Sequence, residues 1–218
     1  MSEKPNPFVS ISDLMAGTMA VVMLLLVVTV VKMSVMRQVA EAEKQKQIEL
    51  AEQQKRKGVK NALYMIGQKL RDANIVESVS VQEDSSVITL NDQAFERGSA
   101  CLSSKVDSVL KQQIAPILSE TIRGYNNIWV QFEGHTDAVN VYGVSTNLAK
   151  KCAVFDDNYS LSAGRAREAR KAVLSSVQGD TSISRRISVV GYGPDQLKNA
   201  VDPNAAENRR VNIRLVAR

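Results

Sequence analysis

The stretch that most limits what this chain can become is Phe8 to Val31, FVSISDLMAGTMAVVMLLLVVTVV, an apolar run with one acidic residue, Asp13, near its start. No charge occurs from Leu14 to Val31. At about 1.5 Å of rise per residue, a helix over that run nearly spans a hydrocarbon core of roughly 30 Å. The pattern predicts a transmembrane helix over 8–31, preceded by a short N-terminus over 1–7. An aspartate at mid-depth costs on the order of 2.5 to 3.5 kcal/mol on insertion scales, so Asp13 needs either a shallow position or a function. Stepping about 100° per residue from Asp13 brings Ala16, Gly17 and Ala20 onto its face. Such small residues let a partner helix approach closely and turn the carboxyl toward protein rather than lipid. Two roles stay open on these residues alone: an ion-binding carboxylate, or an N-cap on a helix that begins at Leu14, where a negative charge suits the helix dipole.

The leading MSEKPNPF lacks the basic start of a secretory signal, and no small-residue cleavage site precedes Lys32, so the helix is expected to be retained as an anchor. Lys32, Arg37, Lys44 and Lys46 outnumber Lys4, which by charge bias alone would keep the C-terminal part in the cytoplasm. In a chain of 218 residues, one membrane segment leaves room for one soluble domain of about 150 residues. The net charge of +5, with both signs intermixed, argues against direct nucleic-acid binding. Two cysteines far apart and a single histidine argue against a metal site, and no cofactor is expected.

Residues 32–58 are rich in Lys, Glu, Gln and Ala, a composition that suits a polar helical spacer. From Val59 the pattern Val59, Leu63, Ile66, Leu70 predicts an amphipathic helix opening a domain over 59–218. The alternating runs at Val79–Val81 and Val87–Leu90 read as a hairpin. A second helix carries Leu102, Val106, Leu110, Ile114 and Leu118, and Pro116 predicts a kink or break in it. Strands are expected at Ile128–Gly134, Ile187–Gly193 and Val211–Ala217, with a third helix, basic on its outer face, at Leu161–Val177. The alternation predicts an α+β sandwich with helices packed on a mixed sheet.

Three constellations lie where loops meet regular structure: EGHTD at Glu133–Asp137, NYSLSAGRA at Asn158–Ala166 and NRRVNI at Asn208–Ile213. In this order they resemble the OmpA-like peptidoglycan-binding domain, over roughly Val79 to Val216. The resemblance implies a pocket for diaminopimelate of the peptidoglycan stem peptide. By motif, Asp137 would bind the ligand ammonium and Arg165 would grip its carboxylate. A guanidinium can do so through two parallel hydrogen bonds. Thr136 belongs to the same motif, Asn158 and Arg209 would position these groups, and N–H groups near Leu161 and Ser162 would add to an anion site. His135 has no nucleophile, base or metal set around it, so it is expected to be a structural hydrogen-bonding residue and the protein no enzyme.

Residues 138–157 form an insertion relative to the OmpA-like pattern. It contains Cys152, while Cys101 lies just before the second helix. A bond between them would tie the insertion to the domain, and it requires an oxidising compartment such as the periplasm, where peptidoglycan lies. On that ground the N-terminus is expected in the cytoplasm and the domain in the periplasm, anchored to the inner membrane. One membrane helix with an acid near its start, joined to an OmpA-like domain, resembles the MotB-type B subunit of ion-driven stators. The resemblance implies a self-dimer inside a ring of A-type (MotA/ZorA-like) subunits, five A to two B, with Asp13 as the ion carrier and H⁺ as the expected ion. The compact layout is most similar to ZorB of the Zorya antiphage system. A flagellar stator subunit and a non-conducting peptidoglycan tether are the alternatives.

Overall fold

The computed structural model describes residues 7–142, 152–177 and 179–217, with side chains described from residue 14 to residue 216 of that set. Helix α1 runs without a break from Pro7 to Asp72, and the chain divides into two units, residues 1–54 and 55–218. In the first unit the apolar side chains stand exposed all round; Leu14 and Leu24 keep 70% and 66% of their surface. A helix apolar on every side suits lipid or partner helices rather than water. By length and composition it can cross a membrane. Gly58, where the sequence pattern marks the end of the spacer, interrupts nothing. A side chain there would collide with the Tyr125 ring, so the glycine makes room for that ring at a helix penalty of roughly 0.5–1 kcal/mol.

The second unit is built on a five-stranded sheet. Its strands are β1 (Val79–Gln82), β2 (Val87–Asn91), β3 (Ile128–His135), β4 (Ile187–Gly191) and β5 (Arg210–Ala217), in the order β1-β2-β5-β3-β4. β3 and β4 run parallel and the other neighbours antiparallel, so the sheet is mixed. β1 and β2 form the expected hairpin, with Val79 opposite Leu90. Alternate residues of the central strands, Ile88, Leu90, Val130, Phe132, Val211 and Ile213, are buried in one core. Leu63, Ile66 and Leu70 of α1 join them there, with Leu118 and Ile122 of α3 (Ala115–Gly124) and Ala166, Ala169 and Val173 of α4 (Asn158–Leu174). The intervening sheet residues are polar and pair laterally: Arg214 grips Glu133 through both oxygens at 2.8 and 3.0 Å, and Thr89 donates to Asn212 at 3.1 Å. The architecture is therefore α+β, with helices on a mixed sheet.

The break expected at Pro116 has a definite form. α2 (Ser104–Val109) passes into a π turn over Leu110–Ile114 before α3 starts, with Pro116 in its first turn. Proline has no N–H and crowds the carbonyl four residues back; widening the preceding turn relieves both faults. A second, smaller core of Ala100, Ala153, Phe155 and Leu161 lies beside the disulfide between Cys101 and Cys152, whose Cα atoms are 5.5 Å apart. The bond joins residues 51 apart in sequence, a closure that contributes on the order of 4 kcal/mol in the chain-entropy model.

Candidate ligand-binding site

Three strand ends meet at one end of the sheet. The register places Asn91 at the end of β2 and His135 at the end of β3 on either side of Arg210 at the start of β5. EGHTD, NRRVNI and the residues just after β2 are thereby brought together. α4 begins over the same end and lies so close that a side chain on Gly134 would strike the Ser162 backbone. Ser162 locks the approach: its Oγ donates to Tyr159 O at 2.8 Å and accepts from Gly193 N at 3.0 Å. Gly193 turns at φ +55° and holds the Tyr159 ring against its backbone, a place only glycine fills without strain. Asp157 caps α4, accepting from Ser160 N at 2.6 Å. From that start Asn158, Ser162 and Arg165 fall at i, i+4 and i+7 on the buried face.

The charged groups that converge there alternate in sign. Arg165, 5% exposed, donates from Nε to Ser99 O at 3.3 Å and pairs through Nη1 with Asp92 Oδ1 at 3.2 Å. Its guanidinium lies 5.1 Å from the centre of the Phe95 ring. The other oxygen of Asp92 accepts from Arg209 Nε at 3.1 Å, and Arg209 Nη1 reaches Asp137 Oδ2 at 2.6 Å. Burial lowers the pKa of Arg165, and the neighbouring Asp92 works in the opposite direction. Burial also opposes the charge of Arg209, but Asp137 and Asp92 raise its pKa overall. Two cations and two anions thus form one chain, Arg165–Asp92–Arg209–Asp137, buried at Arg165 and Asp137 and partly exposed at Asp92 and Arg209.

Around this chain lie buried polar atoms without hydrogen-bond partners among the described residues: Thr136 Oγ1 and Asn158 Oδ1. Asn158 Nδ2 is engaged, donating to Val139 O at 2.9 Å and more weakly to Asp137 O at 3.4 Å. Such a set can bind a small ligand carrying both charges, exchanging internal ion pairs for external ones while Thr136 and Asn158 add neutral hydrogen bonds.

The structure brings Thr136, Asp137, Asn158, Leu161, Ser162, Arg165 and Arg209 to this end of the sheet, but in different capacities. Leu161 N donates to Asp157 O at 3.0 Å and Ser160 N to the Asp157 carboxylate, so the start of α4 is capped from within by an anion and the N–H of Leu161 is already engaged. Ser162 fixes the helix through its hydroxyl. Asp92 is a site residue that the motifs miss; its sequence signal is an acid directly after an alternating strand. His135 is 1% exposed, yet neither ring nitrogen has a hydrogen-bond partner among the described residues. It stacks on Tyr192 at 5.3 Å between centroids, and this corrects the expectation of a hydrogen-bonding role. Burial, with the charges of Arg210 and Arg214, lowers its pKa to about 4. Ala16, Gly17 and Ala20 are exposed on α1. The Asp13 side chain and residues 143–151 of the insertion lie outside the described set.

The fold and the charged chain define a class: an α+β domain with a candidate binding site at the end of its sheet where β2, β3, β5 and α4 meet. The chain superposes on a MotB-like protein from Desulfovibrio vulgaris with a TM-score of 0.50 at 19% identity, over 76% of this chain and 98% of that one. The periplasmic domain of Helicobacter pylori MotB gives a TM-score of 0.43 at 19% identity, over 60% and 81% of the two chains. The cell wall anchor of the T6SS from Pseudomonas aeruginosa gives 0.45 at 22% identity, over 70% and 97%. No family model and no curated protein matches the sequence. The first likeness gives this chain the fold of a MotB-like protein.

Proposed function

We propose that the protein is the wall-anchored B subunit of an ion-driven rotary motor in the bacterial inner membrane, of the Zorya antiphage type. The observation that carries the anchoring half is the alternating chain Arg165–Asp92–Arg209–Asp137. The far end of a diaminopimelate side chain presents an ammonium and a carboxylate on one carbon, and a site with both signs at fixed spacing matches it. In this reading Arg165 receives the carboxylate, Asp137 and Asp92 the ammonium, and Thr136 and Asn158 the remaining polar atoms. Arg209 holds the two acids in place.

The motor half is supported by α1, exposed and apolar from Leu14 onward. Two copies of this helix would pack inside a ring of five A-type subunits, with Ala16, Gly17 and Ala20 at the seam. Asp13 would take up and release a proton as its surroundings alternate. Moving one charge through 100 mV releases about 2.3 kcal/mol, and anchoring to the wall keeps the B dimer still while the ring turns. The disulfide fits an oxidising periplasm and supports a domain outside the inner membrane, against the flanking charges; long domains translocate despite such bias. The Zorya assignment rests on the short layout of the sequence, in which only a few residues separate Lys4 from the apolar run and only 32–58 separate that run from the domain.

Co-sedimentation of the full chain, in mild detergent, with purified peptidoglycan sacculi tests the anchoring half. Wild type should pellet with sacculi and Arg165→Ala should stay in solution; equal pelleting would refute the site assignment.

A further inference from the structure

We infer that the Cys101–Cys152 disulfide is a thiol-exchange site whose state sets the affinity of the charged pocket; the inference rests on the ligand-binding reading above. The bond joins two of the segments that reach the pocket. Cys101 closes the segment that begins at Asp92. Glu96 N donates to Cys101 O at 2.8 Å, Ser103 N to Ala94 O at 2.9 Å, and Phe95 bridges to Leu102. From this segment come Asp92, the Ser99 carbonyl that accepts from Arg165 Nε, and the Phe95 ring beside the same guanidinium. Cys152 leads into Ala153, Phe155 and the Asp157 cap, and hence into Asn158. The small apolar cluster of Ala100, Ala153, Phe155 and Leu161 lies beside the bond and packs the same two segments against the start of α4.

The bond is also placed for exchange. Both cysteines line an open cavity of about 410 Å³, whose walls include Asp107, Lys111, Glu168 and Lys171. Cys101 is buried and Cys152 half-buried, so attack falls on the Cys152 sulfur. The co-reactant is a protein dithiol of the oxidoreductase class. Its thiolate bonds to Cys152 Sγ, the Cys101–Cys152 bond breaks, and Cys101 leaves as a thiolate that takes up a proton. The second thiol of the dithiol then displaces Cys152. Two electrons pass to this protein, which ends with two thiols, and the dithiol becomes a disulfide. With the bond open, the segment carrying Phe95 and Ser99 loses its covalent tie to the start of α4, and its hold on the Arg165 guanidinium loosens while Asp92 stays fixed by β2 and Arg209.

The test uses the full chain in mild detergent, oxidised, reduced with dithiothreitol and reoxidised. Binding to sacculi and to a soluble stem tripeptide ending in diaminopimelate is followed beside far-UV circular dichroism. Reduction should weaken both by about tenfold, within the range of ordinary site-to-site coupling, with unchanged secondary structure and full recovery on reoxidation. Cys101→Ala/Cys152→Ala should bind as the reduced protein does and ignore the reductant. Equal affinity of the oxidised and reduced forms would overturn the inference, as would loss of binding accompanied by loss of secondary structure. An oxidised protein that binds neither probe would instead sink the ligand-binding reading itself.

Discussion

Asp92 and His135 show how far single residues depend on partners remote in sequence. Asp92 joins two arginines, and the side chain of Arg165 is only 6% exposed, so removing the acid leaves a buried cation with a backbone carbonyl and an aromatic ring. Asp92→Asn should lower stability by about 1–2 kcal/mol in urea unfolding, less than for a fully buried pair because Asp92 is itself partly exposed. His135 makes a prediction with a sign. Its pKa falls from 6.5 to about 4 on folding, so between those values the unfolded chain binds a proton that the folded one does not. The stabilisation is complete above pH 6.5 and is lost as pH falls toward 4, by on the order of 3 kcal/mol. Unfolding free energies measured across that window should slope downward toward acid in wild type, and His135→Phe should flatten the slope. An unchanged slope would place the dependence elsewhere.

At the scale of elements, the sequence was legible wherever a period of two or of about 3.6 met an apolar face. The hairpin, the three later strands and the basic helix all fall where their patterns put them. Events that depend on a distant neighbour were not legible. Gly58 reads as a boundary in sequence, whereas in the fold it is a notch for Tyr125. At an exposed helix position Gly→Ala stabilises by roughly 0.4–1 kcal/mol. Here Gly58→Ala should destabilise, with the sign restored in a Tyr125→Ala background; thermal unfolding of the four proteins decides it. The start of α4 gives a similar lesson. Asp157 and Ser160 stand three apart, the spacing of a capping box, and that local signal outweighs the general expectation of an anion site at a helix N-terminus. For α1, Asp13→Asn keeps size and polarity but cannot release a proton. Proton uptake by cells co-expressing the A-type subunit should be abolished, and unchanged uptake would favour a tether.

Taken as a molecule, the candidate site was legible in part. The motifs supplied Asp137 and Arg209, which flank β3 and β5, and Arg165, two turns into α4, because each belongs to one of the three motif strings. The ion pairs that link them cross 72 and 73 residues of sequence, and Asp92 belongs to no motif, so the alternating charge chain exists only once β2, β3 and β5 are in register. In the proposed function that chain recognises both charges of a zwitterion. Calorimetric titration of the full chain with two stem tripeptides tests it most directly, one ending in diaminopimelate and one in lysine, which keeps the ammonium and lacks the second carboxylate. Wild type should bind the diaminopimelate peptide saturably and the lysine peptide about tenfold or more weakly, and Arg165→Ala should lose that difference. Equal affinity of wild type for the two peptides would contradict it.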